Sequence, residues 1–160
     1  MRAVVQHRYG GPETLELEDV PRPTVGSDQV LVRVHAAALN PTDLVVMRGL
    51  LRPQTGWRRP TQQVRGLDVA GTVEAVGADV TDLALGEAVY GVCRGSLAEY
   101  AVGVPRNLVR KPERLSFEQA AGIAVASHVT EVDPGTVPPG FLAAHNRVGD
   151  VPVSAFARAA

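Results

Sequence analysis

Cysteine is all but missing from this chain. Cys93 is the only one among 160 residues, which excludes an internal disulfide and any four-thiolate zinc lobe made from this chain. Aromatic residues make up 4%, so a core has to be assembled from Val, Ala and Leu. Net charge is nearly absent as well, with 16 Lys and Arg against 17 Asp and Glu, a formal −1 at pH 7. Without a positive long-range field, the expected partner is a small molecule or a protein rather than nucleic acid. No apolar run approaches the ~20 residues that span a bilayer, and no basic-then-apolar leader precedes Val4. The expectation is a protein with no membrane partner, located in a reducing cytoplasm.

What is present is 45% hydrophobic and 21% charged, enough for one globular core. The apolar residues alternate. Val30, Val32 and Val34 share one face and Leu31, Arg33 and His35 the other, the period of a half-buried strand. Leu15 and Leu17 repeat this briefly, Val69, Gly71, Val73 and Ala75 at greater length, and Leu97 to Val102 once more. Several short strands at close spacing predict a mainly β barrel or sandwich. Gly10 to Pro12, Pro21 to Ser27 and the proline-broken, arginine-bearing stretch Leu51 to Gln63 read as loops.

Two helices interrupt the strands. Asn40 caps the first, Pro41 suits its first position and Asp43 faces the positive end of its dipole, so a helix is expected over Pro41 to about Met47. Ser116 and Gln119 form a capping box for a second, which the alanine-rich run to Ala126 carries on until Pro134 and Gly135 forbid it.

Glycines punctuate the longest alternating strand. Gly66, Gly71 and Gly77 remove side chains where a backbone must turn tightly or approach closely, and Gly86-Glu-Ala-Val-Tyr-Gly91 follows. Together with Asn40-Pro-Thr-Asp43 upstream and Gly95-Ser-Leu-Ala-Glu-Tyr100 downstream, this run resembles the N-terminal domain of the medium-chain dehydrogenase/reductase superfamily, on its zinc-independent, quinone-reductase-like side. The resemblance covers about residues 1–127. It implies a GroES-like, partly open β-barrel with two or three short helices, whose usual partner is a Rossmann domain that grips NAD(P)H. Substrate then lies in the cleft between the two. The protein must align donor and acceptor, polarise the acceptor oxygen and exclude water.

The resemblance implies catalytic roles for Asn40, Thr42 and Asp68. Asn40 offers an amide donor to a substrate or nicotinamide oxygen, where zinc-dependent relatives place a cysteine; its other reading is a plain helix cap. Thr42 and Asp43 divide the same way. Leu67 and Asp68 stand where zinc-dependent members carry Gly-His-Glu. A leucine cannot ligate zinc, so no metal is expected. Asp68 orients an arginine or a substrate hydroxyl, or serves as a turn or ion-pair residue. Glu87 replaces the family's usual aspartate. Where quinone reductases often carry a tyrosine after the Asn-Pro helix, this chain has Leu44 to Met47.

The remaining chemistry-bearing residues read as structural. His7, His35, His128 and His145 show no metal-pair spacing. Cys93 reads as a small buried side chain. Arg48, Arg52, Arg58, Arg59 and Arg65 surround Trp57 in a loop that is either simply solvated or a phosphate surface with a stacking indole.

After Ser127 the family pattern stops. Residues 128–160 show no glycine-rich dinucleotide turn, so no cofactor-binding residues are expected in this chain. The expectation is an irregular tail, out of the ancestral frame or a truncation product. Three readings follow: a substrate-side oxidoreductase domain inactive alone and prone to self-association, a stand-alone β-barrel binding module without redox activity, and one chain of a split enzyme whose Rossmann half is separate.

Overall fold

A computed structural model describes residues 1–124 and the two-residue strands β8 (Arg147–Val148) and β9 (Val151–Pro152). In chain order come β1 (Arg2–Gln6), β2 (Leu15–Asp19), β3 (Val30–Ala38), α1 (Pro41–Met47), α2 (Arg52–Thr55), β4 (Asp68–Val76), β5 (Ala88–Val92), β6 (Tyr100–Gly103), β7 (Leu108–Arg110) and α3 (Phe117–Gly122). The alternating segments at Leu15, Val30 and Val69 therefore are strands, the one expected from Leu97 begins only at Tyr100, and the architecture is mainly β. A five-stranded antiparallel sheet runs β6-β3-β4-β5-β7, and β1 pairs with β2 in a second, two-stranded sheet. The other edge of β1 is held by the chain around Gln63 to Arg65 and Leu97 to Ala98, through Val4 N–H to Leu97 O (2.8 Å), Gln6 N–H to Gln63 O (2.9 Å) and Arg65 N–H to Val4 O (3.0 Å). These bonds join the two sheets into a partly open barrel.

The main core is aliphatic, as the shortage of aromatics requires. Val30, Val32, Val69 and Val89 are fully buried and pack with Val73, Leu83, Cys93, Ala101 and Leu108. Each such valine contributes roughly 1.5 kcal/mol or more of burial free energy. A second cluster lies on the far side of the sheet, where Ala120 and Ala121 of α3 meet Ala70 of β4. Small side chains on both surfaces let helix and sheet approach closely.

Two patterning expectations are corrected. Leu31, expected on the opposite face from Val30 and Val32, is buried too, at 2% exposure, and a register shift between Leu31 and Val32 interrupts simple alternation there. Likewise β4 is buried on both faces over Asp68 to Gly71, because α3 covers one and the valine core the other. In β2 the apolar alternation misleads outright. Leu17 is 60% exposed, while Glu16 and Glu18 stand across from buried Val5 and Ala3 and so share their face.

The predicted Pro41 to Met47 helix is present with those bounds. So is the second capping box, with Gln119 N–H donating to Ser116 Oγ (3.2 Å) and Ser116 N–H to Gln119 Oε1 (3.0 Å). The expected continuation of α3 to Ala126 lies outside the described residues, as do His128, His145 and most of the tail. The third helix, α2, forms inside the stretch read as a loop. Among the described residues, no helix is long and apolar enough to cross a membrane.

Gly66 and Gly71 show why the motif needs glycine. Gly66 has φ +90°, and a Cβ there would lie 2.5 Å from Ser96 Oγ. At Gly71 it would run into the backbone carbonyl of Arg33 on the neighbouring strand.

Candidate functional site

The end of β3 and the start of β4 are paired strand positions, with Ala38 opposite Asp68. Chain leaving β3 reaches Asn40 two residues later, beside the first residue of β4. Asn40 Nδ2 donates to Asp68 Oδ2 at 2.8 Å. Two of the three sequence-predicted site residues are thus brought together by sheet register. Thr42 is not drawn into this pair; it stands exposed on the first turn of α1. Asp68 is 1% exposed, and a carboxylate so deep needs strong donors around it.

The helix-capping reading of Asn40 is also met, through its main chain. Its backbone N–H donates to Asp43 Oδ2 at 2.8 Å, and its carbonyl accepts from Asp43 N–H at 3.0 Å. Capping and site geometry are therefore one arrangement: the main chain starts α1 while the amide is turned toward β4. An amide nitrogen carries two hydrogens, and Asp68 Oδ2 takes one of them.

Asp43 is more than the expected charge at a helix N-terminus. It is half-buried, and burial pushes its carboxyl above the usual carboxylate range, against the opposing pull of the Asn40 N–H, the Arg65 charge and the Asn40 side chain. Burial in turn lowers Arg65, opposed by the charges of Asp43 and Tyr9. Arg65 Nη1 donates to Gln62 O at 2.9 Å. The association of Asp43, on the first turn of α1, with Arg65, in the chain leading to β4, joins distant segments, and no local pattern announces it.

A groove of about 850 Å³ opens beside this cluster. Asp43, Arg65, Gly66 and Leu67 form its wall nearest the Asn40–Asp68 pair, and Val5, Glu18, Val20, Arg94 and Tyr100 lie farther round. Asn40 and Asp68 do not themselves line it.

The other candidates fall into structural roles. His35 Nε2 lies 3.0 Å from Thr72 Oγ1, and its ring stacks on Phe117 at 4.3 Å. Burial raises the Cys93 thiol to about 12, so the thiolate needed for nucleophilic attack or metal ligation does not form near neutrality. Glu87 accepts from Ala84 N–H and pairs with Arg110 at 3.1 Å, and both contacts lower its carboxyl. In the arginine loop, Arg52 lies over the Tyr9 ring at 5.2 Å, and the Tyr9 hydroxyl donates to Gly56 O at 2.7 Å. Trp57 is 75% exposed.

Residues 26–113 match the alcohol dehydrogenase GroES-like domain. The chain belongs to that family. This GroES-like domain is 38% identical over 154 residues to the chloroplastic NADPH-dependent alkenal/one oxidoreductase of Arabidopsis thaliana, a match covering 89% of this chain and 39% of that protein. It is 37% identical over 130 residues to the quinone oxidoreductase of Sus scrofa, covering 78% and 38%. Among solved structures it superposes on the quinone oxidoreductase from Coxiella burnetii with a TM-score of 0.70 and 32% identity, over 79% of this chain and 41% of that one. The chain thus spans about two fifths of the length of these relatives of the medium-chain dehydrogenase/reductase superfamily. The plant match extends past Ser127, where the resemblance was expected to stop; the porcine match covers a share close to that boundary.

Proposed function

We propose that residues 1–127 are the substrate-side domain of a zinc-independent NAD(P)H-dependent oxidoreductase acting on a quinone or enone acceptor. The observation that carries this reading is the Asn40–Asp68 hydrogen bond, in a domain whose relatives are named for quinone and alkenal/one oxidoreduction. Asp68 fixes the amide of Asn40, and on binding an acceptor the amide turns its second hydrogen, which in the unliganded domain faces the Asp43 carboxyl, to the acceptor oxygen as the polarising donor. Thr42, exposed nearby, supplies a hydroxyl to the same acceptor. The donor set supports zinc independence. Leu67 carries no lone pair, the Asn40 amide nitrogen is a hydrogen-bond donor rather than a ligand, and Cys93 is sealed in the valine core.

NAD(P)H supplies the hydride in such reactions, but this sequence has no glycine-rich turn to cradle a pyrophosphate. The proposal therefore assigns dinucleotide binding to a Rossmann unit outside residues 1–127. Apolar side chains beside the site support a covering partner: Leu39 and Leu44 flank Asn40 and are 51% and 40% exposed.

A redox assay tests the reading. The chain is mixed with NADPH and an enone or quinone, alone and with the separately expressed nucleotide-binding half of a related quinone oxidoreductase. The expected result is no turnover alone and turnover on addition of that half. Turnover by the chain alone overturns the division of labour. No turnover in either arm favours a binding module without redox chemistry.

A further inference from the structure

We propose that His7, Glu16 and Glu18 form a surface site for a divalent transition-metal ion, distinct from the Asn40 and Leu67 positions. One donor atom from each of the three lies within 4.8 Å of the other two. His7 Nε2 and Glu18 Oε1 are already 2.7 Å apart. Zinc holds nitrogen and carboxylate ligands at about 2.0–2.2 Å, which sets ligand atoms roughly 3–4 Å from one another. Rotation of two glutamate side chains that are wholly or partly solvent-accessible closes the difference.

Strand geometry explains why the ligands converge. Glu16 and Glu18 are two residues apart on β2, so both carboxylates project from one face. His7 follows the last residue of the paired strand β1. A second observation is electrostatic. Among the described residues, no Lys or Arg forms an ion pair with Glu16 or Glu18, and the only partner of Glu18 is the His7 ring. Two like charges on one strand face are left without a cation. The imidazole selects the class of ion, since nitrogen ligation suits zinc, copper or nickel and not magnesium or calcium. Glu18 also borders the groove, so the ion sits on its rim, with remaining positions taken by water.

Isothermal titration of zinc chloride into the full chain, in chelator-free buffer, is the test. Saturable binding of one ion is expected, together with a rise in melting temperature as zinc increases. His7→Ala, and separately the pair Glu16→Gln and Glu18→Gln, are expected to weaken binding by more than about tenfold, a loss that removal of even a supporting hydrogen bond can reach. Both sets change accessible side chains, and melting without zinc verifies that they fold. Wild-type affinity in either variant, absence of saturation up to about 1 mM zinc, or equal binding of magnesium chloride overturns the proposal.

Discussion

The side-chain amide of Asn40 and the carboxylate of Asp68 meet at 2.8 Å although 28 positions separate them in the chain. The contact ties the start of a helix to the start of a strand. Because Asp68 is 1% exposed, withdrawing the amide removes a donor from a carboxylate that water cannot readily reach.

Asn40→Ala should therefore destabilise the domain by about 1–3 kcal/mol, the range for removing a donor from a buried polar group. Asp68→Asn should cost less, since its carbonyl oxygen still accepts. The double variant should fall short of the summed single effects by about 0.5 kcal/mol or more. Urea unfolding midpoints of the four proteins measure this, and strict additivity would show that the two side chains do not communicate.

Asp43 makes a pH prediction with a definite sign. Burial raises its folded carboxyl above the unfolded value, which is about 3.9, so the folded state holds a proton that the unfolded state has released. Its contribution to stability is fullest below about pH 4 and declines as pH rises through the folded value. Asp43→Asn should remove that decline. Melting temperatures of both proteins from acid to neutral pH should show the variant gaining on the wild type as pH increases; parallel curves would contradict the assignment.

Gly71→Ala tests the close approach of β3 and β4. The added Cβ would meet the main-chain carbonyl of Arg33 and lie 2.8 Å from Val32 Cγ1. Backbone in the middle of a paired strand cannot step aside cheaply, so a loss of about 2–3 kcal/mol or more is expected. Guanidinium denaturation provides the comparison, and an unchanged midpoint would mean that the strands stand farther apart.

Features written in neighbouring residues were legible in the sequence. Asn40-Pro41 and Ser116 to Gln119 start helices through atoms only three residues apart, and both helices begin where those signals place them. Gly66, Gly71 and Gly77 marked close backbone approaches for the same reason, and of these Gly71 lies against β3. Burial was less legible, because it depends on what arrives from elsewhere. Leu17 alternates like a core residue but sits on the outer face of a two-stranded sheet, and Leu31 is buried beside a register shift that interrupts the alternation of its strand. In the candidate site, Asn40 and Asp68 could be named separately, but their meeting required the Ala38–Asp68 register. The part of Asp43 is not legible because Arg65 acts on it from the chain before β4, far from α1 in sequence.

The placement of Trp57 has a practical consequence. As the only indole in the chain and one already 75% in solvent, it emits as a wet chromophore before any denaturant is added. Its fluorescence is nearly blind to melting of the aliphatic interior, yet it reports directly on anything that settles over the arginine-bearing loop.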